Sequence, residues 1–293
     1  MQRSDWERVV ADGFRVPQNA ALDELTTELV VMLGDPDPRV RDDLAYSVLA
    51  AWVTEGVYDD LLAGLGDGLT IGMRSGLGDD GTDSVLRRSF SAVALAAVIA
   101  RDNVTHGLHP SVMLTWADRF VAWFLGERDL RGWIPGRGWA HAGAHGADLF
   151  GALTASRYLG ADELTVLLDV LAERLLAPTQ HRFAAGEPDR LAFAAMSLIH
   201  RDLVSVDALE AWLDRIAPAL VDPPSTGVPE PAQRSNTLGF IRALHLQLLL
   251  GVRGTPAQDA AGNTGRSPAV RADLLIALQG LLRASTPWLN RQG

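Results

Sequence analysis

The feature that most constrains the fold of this chain is a helical spacing of apolar residues. Three stripes with this spacing are Leu25, Leu29, Met32 and Leu33; Leu44, Val48, Leu49 and Trp52; and Leu164, Leu167, Leu168 and Leu171. Residues spaced in this way lie on one face of an α-helix, where they can be buried together. Ala and Leu dominate, and no segment shows a convincing strand alternation. The chain is therefore predicted to be all-α.

Turn-forming residues divide the chain into about twelve predicted helices. Breaks are expected at 34–38, 78–83 and 186–189, and longer connections at 222–231 and 254–268. At the first break, Asp35 or Asp37 is expected to cap the following helix, with Pro38 in its first turn.

The predicted helices form pairs, and the second helix of each pair begins with polar residues inside an apolar pattern. These second helices are predicted at 39–46, 84–91, 138–145, 188–193 and 234–242. Their spacing of roughly 45 to 55 residues is close to that of two-helix solenoid repeats, which bury their apolar faces by stacking. We predict paired antiparallel helices stacked as an α/α superhelix of the HEAT or armadillo kind, with an α/α toroid as the alternative.

The whole chain, residues 1–293, is predicted to be a single all-helical domain. Its repeat-like core is expected at about 20–250, and a C-terminal helix at about 268–285. The apolar runs at 91–100 and 244–252 are shorter than a membrane span, and the first residues lack the apolar core of a signal peptide. We therefore expect a cytoplasmic protein, as a monomer or homodimer.

Charge and composition exclude several classes of function. The net charge of −10, without a basic run, argues against binding of nucleic acid or of an anionic membrane. The sequence has no cysteine, and all 26 cationic side chains are arginine. Disulfides, thiolate metal sites, Schiff-base lysines and Walker-type phosphate loops are therefore ruled out. The heavy use of Ala, Arg and Gly without Lys indicates a GC-rich bacterial genome.

The segment 139–148, predicted to be helical, carries the most function-like pattern. His141, His145 and Asp148 are spaced at i, i+4 and i+7, which puts them within about 60° of one another on a helix. Two imidazoles and a carboxylate can hold a divalent metal or act as an acid–base pair. Ala142 replaces the glutamate of the His-Glu-x-x-His motif, so a zincin mechanism is disfavoured. The alternative is that both histidines form hydrogen bonds between buried helix ends.

Other polar and aromatic residues are candidates for ligand binding. They are Tyr46, Arg87, Arg88, Trp139, Asp189, Asn236 and Arg242. For the two adjacent arginines, a salt bridge to Asp42 or Asp43 is the alternative to anion binding. Tyr46, Trp133 and Trp139 are suited to line a pocket, although aromatic residues in helices usually belong to the core.

Several of these segments resemble those of a known family. The stretches 83–91, 129–148 and 189–192, and also 42–46 and 236–244, look like the signatures of the uncharacterised bacterial family DUF2785. The resemblance covers roughly residues 20 to 250, and it departs from the family at His245, where an aromatic residue is expected. It implies a helical protein related to HEAT or armadillo repeats, but it implies no activity.

Three hypotheses about function remain open at this stage. The first is a helical-repeat scaffold that binds a small molecule, peptide or protein in a polar groove. The second is a hydrolase-like or metal-dependent enzyme that uses the face of His141, His145 and Asp148. The third is a structural or oligomerising module. No cofactor is expected, although a divalent metal is possible at that face.

Overall fold

The computed structural model describes residues 1–221, 230–252 and 266–287. The prediction of an all-α protein is confirmed, with one two-stranded hairpin added. The chain divides into two compact units, Met1–Leu153 and Thr154–Gly293. The single domain over 1–293 stays a prediction. The connections predicted at 222–231 and 254–268 lie almost entirely outside the described residues.

The first unit contains seven of the thirteen described α-helices and both strands. Its elements are α1 (Arg3–Ala11), α2 (Leu22–Met32), a π-helix (Arg39–Tyr46), α3 (Ser47–Thr54), a 3-10 turn (Asp59–Leu61), α4 (Leu62–Met73), α5 (Ser84–Thr105), α6 (Pro110–Gly126), β1 (Trp133–Ile134), β2 (Gly138–Trp139) and α7 (Ala142–Thr154).

The second unit is helical throughout its described residues. Its elements are α8 (Ala161–Leu176), α9 (Glu187–Ile199), α10 (Val206–Ile216), α11 (Pro218–Val221), α12 (Ala232–Leu250) and α13 (Arg271–Ser285). The last of these lies where the sequence predicts a C-terminal helix at about 268–285.

The apolar stripes of the sequence form the cores of the two units. Every stripe residue is buried except Met32, which is half-buried. In the first unit α4 packs along α5, and Gly66 of α4 lies against the buried ring of Trp116 from α6. A Cβ atom at Gly66 would lie only 2.1 Å from that ring, so close packing of α4 on α6 depends on the missing side chain.

A π-helix forms where the sequence predicts the second helix of the first pair. Its N-cap residue is Pro38, without a side-chain cap, and not Asp35 or Asp37 as expected, but the backbone N–H of Arg39 donates to Asp37 Oδ1 at 2.9 Å. That hydrogen bond lowers the pKa of Asp37. The hydroxyl of Ser47 donates to the carbonyl of Asp42, five residues earlier, at 2.9 Å. π-Helical turns are rare and occur frequently at functional sites.

In the second unit α12 packs against α9 and α8. The hydroxyl of Thr237 donates to the carbonyl of Leu175, which joins α12 to the end of α8 at 2.8 Å. Within the described ranges, no helix of either unit combines the length and the apolar character needed to cross a membrane.

Candidate functional site

A short hairpin interrupts the helices of the first unit and presents two tryptophans. Trp133 pairs with Trp139 and Ile134 with Gly138 in antiparallel register. Trp133 is 59% exposed and Trp139 is 38% exposed. Gly138 has a φ of +76°, and a Cβ there would lie 3.0 Å from the Cβ of Pro38. Glycine is therefore needed both for the backbone conformation and for the approach to the π-helix.

A buried arginine of the π-helix holds this hairpin in place. Arg41 is fully buried, and its guanidinium donates to the carbonyl oxygens of Asp35 at 2.9 Å, Arg137 at 2.8 Å and Trp139 at 3.2 Å. It also lies 4.7 Å above the ring of Phe90. The hydrogen bonds to Arg137 and Trp139 therefore join the hairpin to the π-helix, and the cation–π contact, which is stronger when desolvated, joins Arg41 to α5.

Burial also changes the acid–base behaviour of the π-helix. Desolvation lowers the pKa of Arg41, whereas its neighbour Asp42 raises it, with Asp42 Oδ1 lying 2.8 Å from Arg41 Nε. Desolvation raises the pKa of Asp42 to about 6, although Arg41 opposes that shift. Asp42 therefore titrates within about one unit of neutral pH.

The segment 139–148 was predicted to be helical throughout, and that prediction is wrong for its first three residues. Trp139 belongs to β2, and the backbone N–H of His141 donates to the carbonyl of Arg131 at 3.1 Å, continuing the hairpin. His141 has a φ of +54°, outside the helical region. Helical bonding begins only where the N–H of His145 donates to the carbonyl of His141 at 2.8 Å. The hydrogen bonds of the hairpin thus hold residues 139–141 outside the helix that their spacing predicts.

The two histidines nevertheless come together, within a continuous row of aromatic rings that we call the ring row. Its members are Trp133, Trp139, His141, His145 and Phe90. Successive ring centroids lie 5.0, 4.2, 5.9 and 4.9 Å apart. The rings of Trp139 and His141 stack at 16°, and the other contacts are edge-to-face. The ring row runs from exposed Trp133 to Phe90, which is 4% exposed.

Ser89 determines which nitrogen of His145 carries hydrogen. The Ser89 hydroxyl donates to the carbonyl of Ala140, which can only accept. The same oxygen lies 2.7 Å from His145 Nδ1 and, having used its one hydrogen, must accept from that nitrogen. His145 is therefore protonated on Nδ1, and in the neutral ring the lone pair is on Nε2. This is the tautomer in which Nε2 can accept a proton or bind a metal.

Two further candidate residues, Asp148 and Tyr46, lie near the ring row. Asp148 lies in α7 three residues after His145 and is half-buried. Tyr46, the last residue of the π-helix, is also half-buried and contacts Phe90 edge-to-face at 6.1 Å. Tyr46 therefore adjoins the buried end of the ring row.

The two adjacent arginines of α5 differ completely in their surroundings. Arg88 is fully buried, and Nε and Nη2 donate to the two carboxylate oxygens of Glu127 at 2.6 and 2.8 Å. Its remaining donors bind the carbonyls of Ser75, Gly76 and Asp79 in the loop before α5 and the hydroxyl of Ser84, the first residue of α5. All five N–H groups of Arg88 therefore donate hydrogen bonds. Arg88 does form a salt bridge, as the alternative to anion binding required, but its partner is Glu127 and not Asp42 or Asp43.

Arg87 is half-buried and lies beside Gly34 and α4. Burial lowers its pKa, and Nε has no hydrogen-bond partner among the described residues. Of the two arginines predicted to bind an anion, only Arg87 thus keeps a donor that the described chain does not use.

The remaining predicted ligand-binding residues belong to the second unit. Asn236 is buried and joins α12 to the loop between α8 and α9, accepting from the N–H of Phe183 at 2.7 Å and donating to the carbonyl of His181 at 2.9 Å. Asp189, in the first turn of α9, and Arg242, in α12, are both exposed. Asn236 therefore has a structural role in holding this loop.

Sequence reasoning missed three residues that organise the ring row: Arg41, Ser89 and Phe90. A signal for Arg41 was present, because Arg41, Leu44, Ala45 and Val48 are spaced as one buried stripe. An arginine at such a position must find hydrogen-bond acceptors inside the protein. No local signal identified Ser89 or Phe90, because their partner in the ring row, His145, lies more than fifty residues further along the chain.

Comparisons with known proteins identify the family of the chain. A family described as "Protein of unknown function (DUF2785)" matches residues 73–246, more than half of the 293 residues. The matched stretch contains Ser89, the hairpin and both histidines of the ring row, whereas Arg41 and Tyr46 precede it. No curated protein and no solved structure matches the chain. The resemblance noted in the sequence is thus confirmed over residues 73–246, which do not include the stretch 42–46, and the chain belongs to the DUF2785 family of proteins of unknown function.

Proposed function

We propose that this chain is a ligand-binding protein, built on stacked helix pairs of the HEAT or armadillo kind, whose first unit binds a small molecule at the ring row. The observation that carries the proposal is the exposure of Trp133 and Trp139 on a hairpin that a buried arginine holds rigidly. Exposed tryptophans lose apolar stabilisation unless something covers them. Their fixed orientation lowers the entropic cost of binding a partner, as preorganised sites do.

The chemistry of the ring row favours a small ligand with both a flat apolar part and a polar group. Trp133 and Trp139 supply apolar ring surface, while the imidazoles of His141 and His145 supply hydrogen-bonding groups along the same row. Small-molecule sites generally combine an apolar lining with a few oriented polar groups. The net charge of −10 favours neutral or cationic ligands, and tryptophan rings also bind cations.

A fragment screen by ligand-detected NMR tests this proposal. A panel of small heteroaromatic and cationic compounds is screened against the wild-type chain and against Trp133→Ala. Ile71→Ala is the matched control, because Ile71 is an apolar residue of the same unit that is 71% exposed. We expect some compounds to bind the wild type and the control but to lose at least about tenfold in affinity to Trp133→Ala, since hot-spot tryptophans contribute more than ~1.4 kcal/mol. If every compound binds all three proteins equally, the proposal fails.

The alternative function is catalysis or metal binding by His145, and the Ser89 hydrogen bonds favour it specifically. A serine that holds Nδ1–H of a histidine leaves Nε2 as the basic nitrogen, which general-base and metal-ligating histidines both require. His141 lies next to it, with ring centroids 5.9 Å apart, which is compatible with two imidazoles sharing one ion.

Elemental analysis and thermal unfolding test the metal version. Stoichiometric zinc in the purified protein, together with a melting temperature that rises on adding zinc and not in His145→Gln, would favour it. Saturation at about one hundred times the dissociation constant would add ~2.7 kcal/mol to the free energy of unfolding. Absence of both effects would exclude a zinc site. It would not affect the test of small-molecule binding by the fragment screen.

A further inference from the structure

A second feature, unrelated to the ring row, lies within the second unit. The end of α9, the end of α12 and the beginning of α13 enclose a cavity of about 240 Å³. One water molecule needs only ~15 Å³ of such space, so the cavity has room for a small ligand. Its polar lining comes chiefly from His200, Arg266, Ser267 and Arg271.

His200 contributes a buried nitrogen with an unmet hydrogen bond. The side chain follows α9 and is 7% exposed. Its Nε2 lies 3.1 Å from the carbonyl of Val252, which can only accept, so Nε2 carries hydrogen. In the neutral ring Nδ1 is then an acceptor, and it is buried without a partner among the described residues. Such unsatisfied groups are uncommon in proteins, and a bound ion or water is one of the explanations for them.

Two arginines border the same cavity, and no carboxylate of the described chain lines it. Arg271 is fixed in position, because Nε donates to the carbonyl of Leu248 at 2.8 Å and Nη2 to that of Leu249 at 3.1 Å. Arg266 is exposed at the rim. A cavity with two guanidinium groups and a hydroxyl, in a chain of net charge −10, is electrostatically suited to an anion.

We propose that this cavity binds a phosphate group, as inorganic phosphate or as a small phosphate monoester. The phosphate monoanion carries negative oxygens together with one O–H group, and a monoester loses that last proton with a pKa of about 6. The negative oxygens pair with the guanidinium groups of Arg266 and Arg271. When phosphate holds this proton, its O–H group donates to His200 Nδ1. When Nδ1 holds the proton, Nδ1–H donates to a phosphate oxygen. In both cases the buried nitrogen gains a hydrogen-bond partner.

Isothermal titration calorimetry of the full chain with inorganic phosphate, and separately with glycerol phosphate, tests the proposal. His200→Gln is the informative variant, because the glutamine amide can still donate to the Val252 carbonyl while Nδ1 is removed. Arg266→Gln changes only an exposed side chain, so it remains interpretable even if the first variant is unstable. Arg157→Gln is the control, since Arg157 is an exposed arginine of the same unit that stacks on Tyr158, outside the cavity.

We expect saturable binding by the wild type and the control, and affinities at least about tenfold weaker for His200→Gln and Arg266→Gln. Tighter binding of the free ion than of the ester identifies inorganic phosphate as the ligand, and the reverse order identifies a monoester. The proposal is overturned if neither compound binds the wild type at about 10 mM. It is also overturned if a folded His200→Gln, or Arg266→Gln, binds as tightly as the wild type.

Discussion

Replacing Arg88 by methionine tests whether this arginine supports the fold rather than binding a ligand. The substitution keeps much of the apolar stem but removes the guanidinium that pairs with both carboxylate oxygens of Glu127. Glu127 is 2% exposed, and the uncharged N–H groups of Trp123 and Asp129 also donate to it, but the substitution would remove its charged partner. The carbonyls of the loop before α5 would lose their donor as well.

The expected cost follows from the burial of this pair. Removing one partner of a buried ion pair lowers the free energy of unfolding by about 3–5 kcal/mol, because the other charge stays buried without its opposite charge. For a unit of this size, each kcal/mol corresponds to roughly 2–4 °C in melting temperature. We therefore expect Arg88→Met to lower the melting temperature by about 10 °C.

Arg101→Met is the matched control, because Arg101 belongs to the same helix and also pairs with a carboxylate, that of Asp59. That pair is exposed, with 25% and 41% of the two side chains accessible, so its loss should cost no more than about 1 kcal/mol. Urea unfolding followed by circular dichroism measures both variants. A loss in Arg88→Met no larger than that in Arg101→Met would refute the structural role of Arg88. A further Glu127→Met change in Arg88→Met should recover part of the loss.

Three further predictions concern the first unit. Folding raises the pKa of Asp42 from 3.8 to about 6, so the folded state holds this proton more tightly. The free energy of unfolding of the wild type, relative to that of Asp42→Asn, should therefore fall by about 2 kcal/mol as pH rises from 4 to 7. Urea unfolding measures both proteins, and parallel dependence of the two free energies on pH would contradict this. Ser89→Ala should lower the free energy of unfolding by ~1–3 kcal/mol, because it removes a buried hydrogen-bond partner. It should also allow His145 to leave the Nδ1–H tautomer, which changes the ¹⁵N chemical shifts of the ring. Unchanged shifts would disprove the tautomer assignment. Gly66→Ala should destabilise by about 1–3 kcal/mol, whereas Gly64→Ala, with open space at its Cβ, should be neutral or stabilising in thermal unfolding; equal effects would refute the packing argument.

Much of the local structure was determined by the sequence alone. The spacing of Leu44, Val48, Leu49 and Trp52 predicted a buried helical face, and all four are buried. Helical periodicity and capping are local properties, since the hydrogen bonds and side chains involved lie within about one or two turns. The family was also recognisable, because its signatures are short and contiguous.

The ring row, by contrast, was decided by tertiary structure. The segment 139–148 has a helical spacing, yet its first residues form a strand and a left-handed turn, because Trp133 and Arg131 supply hydrogen-bonding partners. The tautomer of His145 depends on Ser89, 56 residues earlier, and the hairpin depends on Arg41, 98 residues before Trp139. Local spacing cannot encode such contacts, because they exist only once distant segments pack together. The sequence determined which residues could share a helical face; packing determined which histidine nitrogen carries the proton and which tryptophans remain exposed.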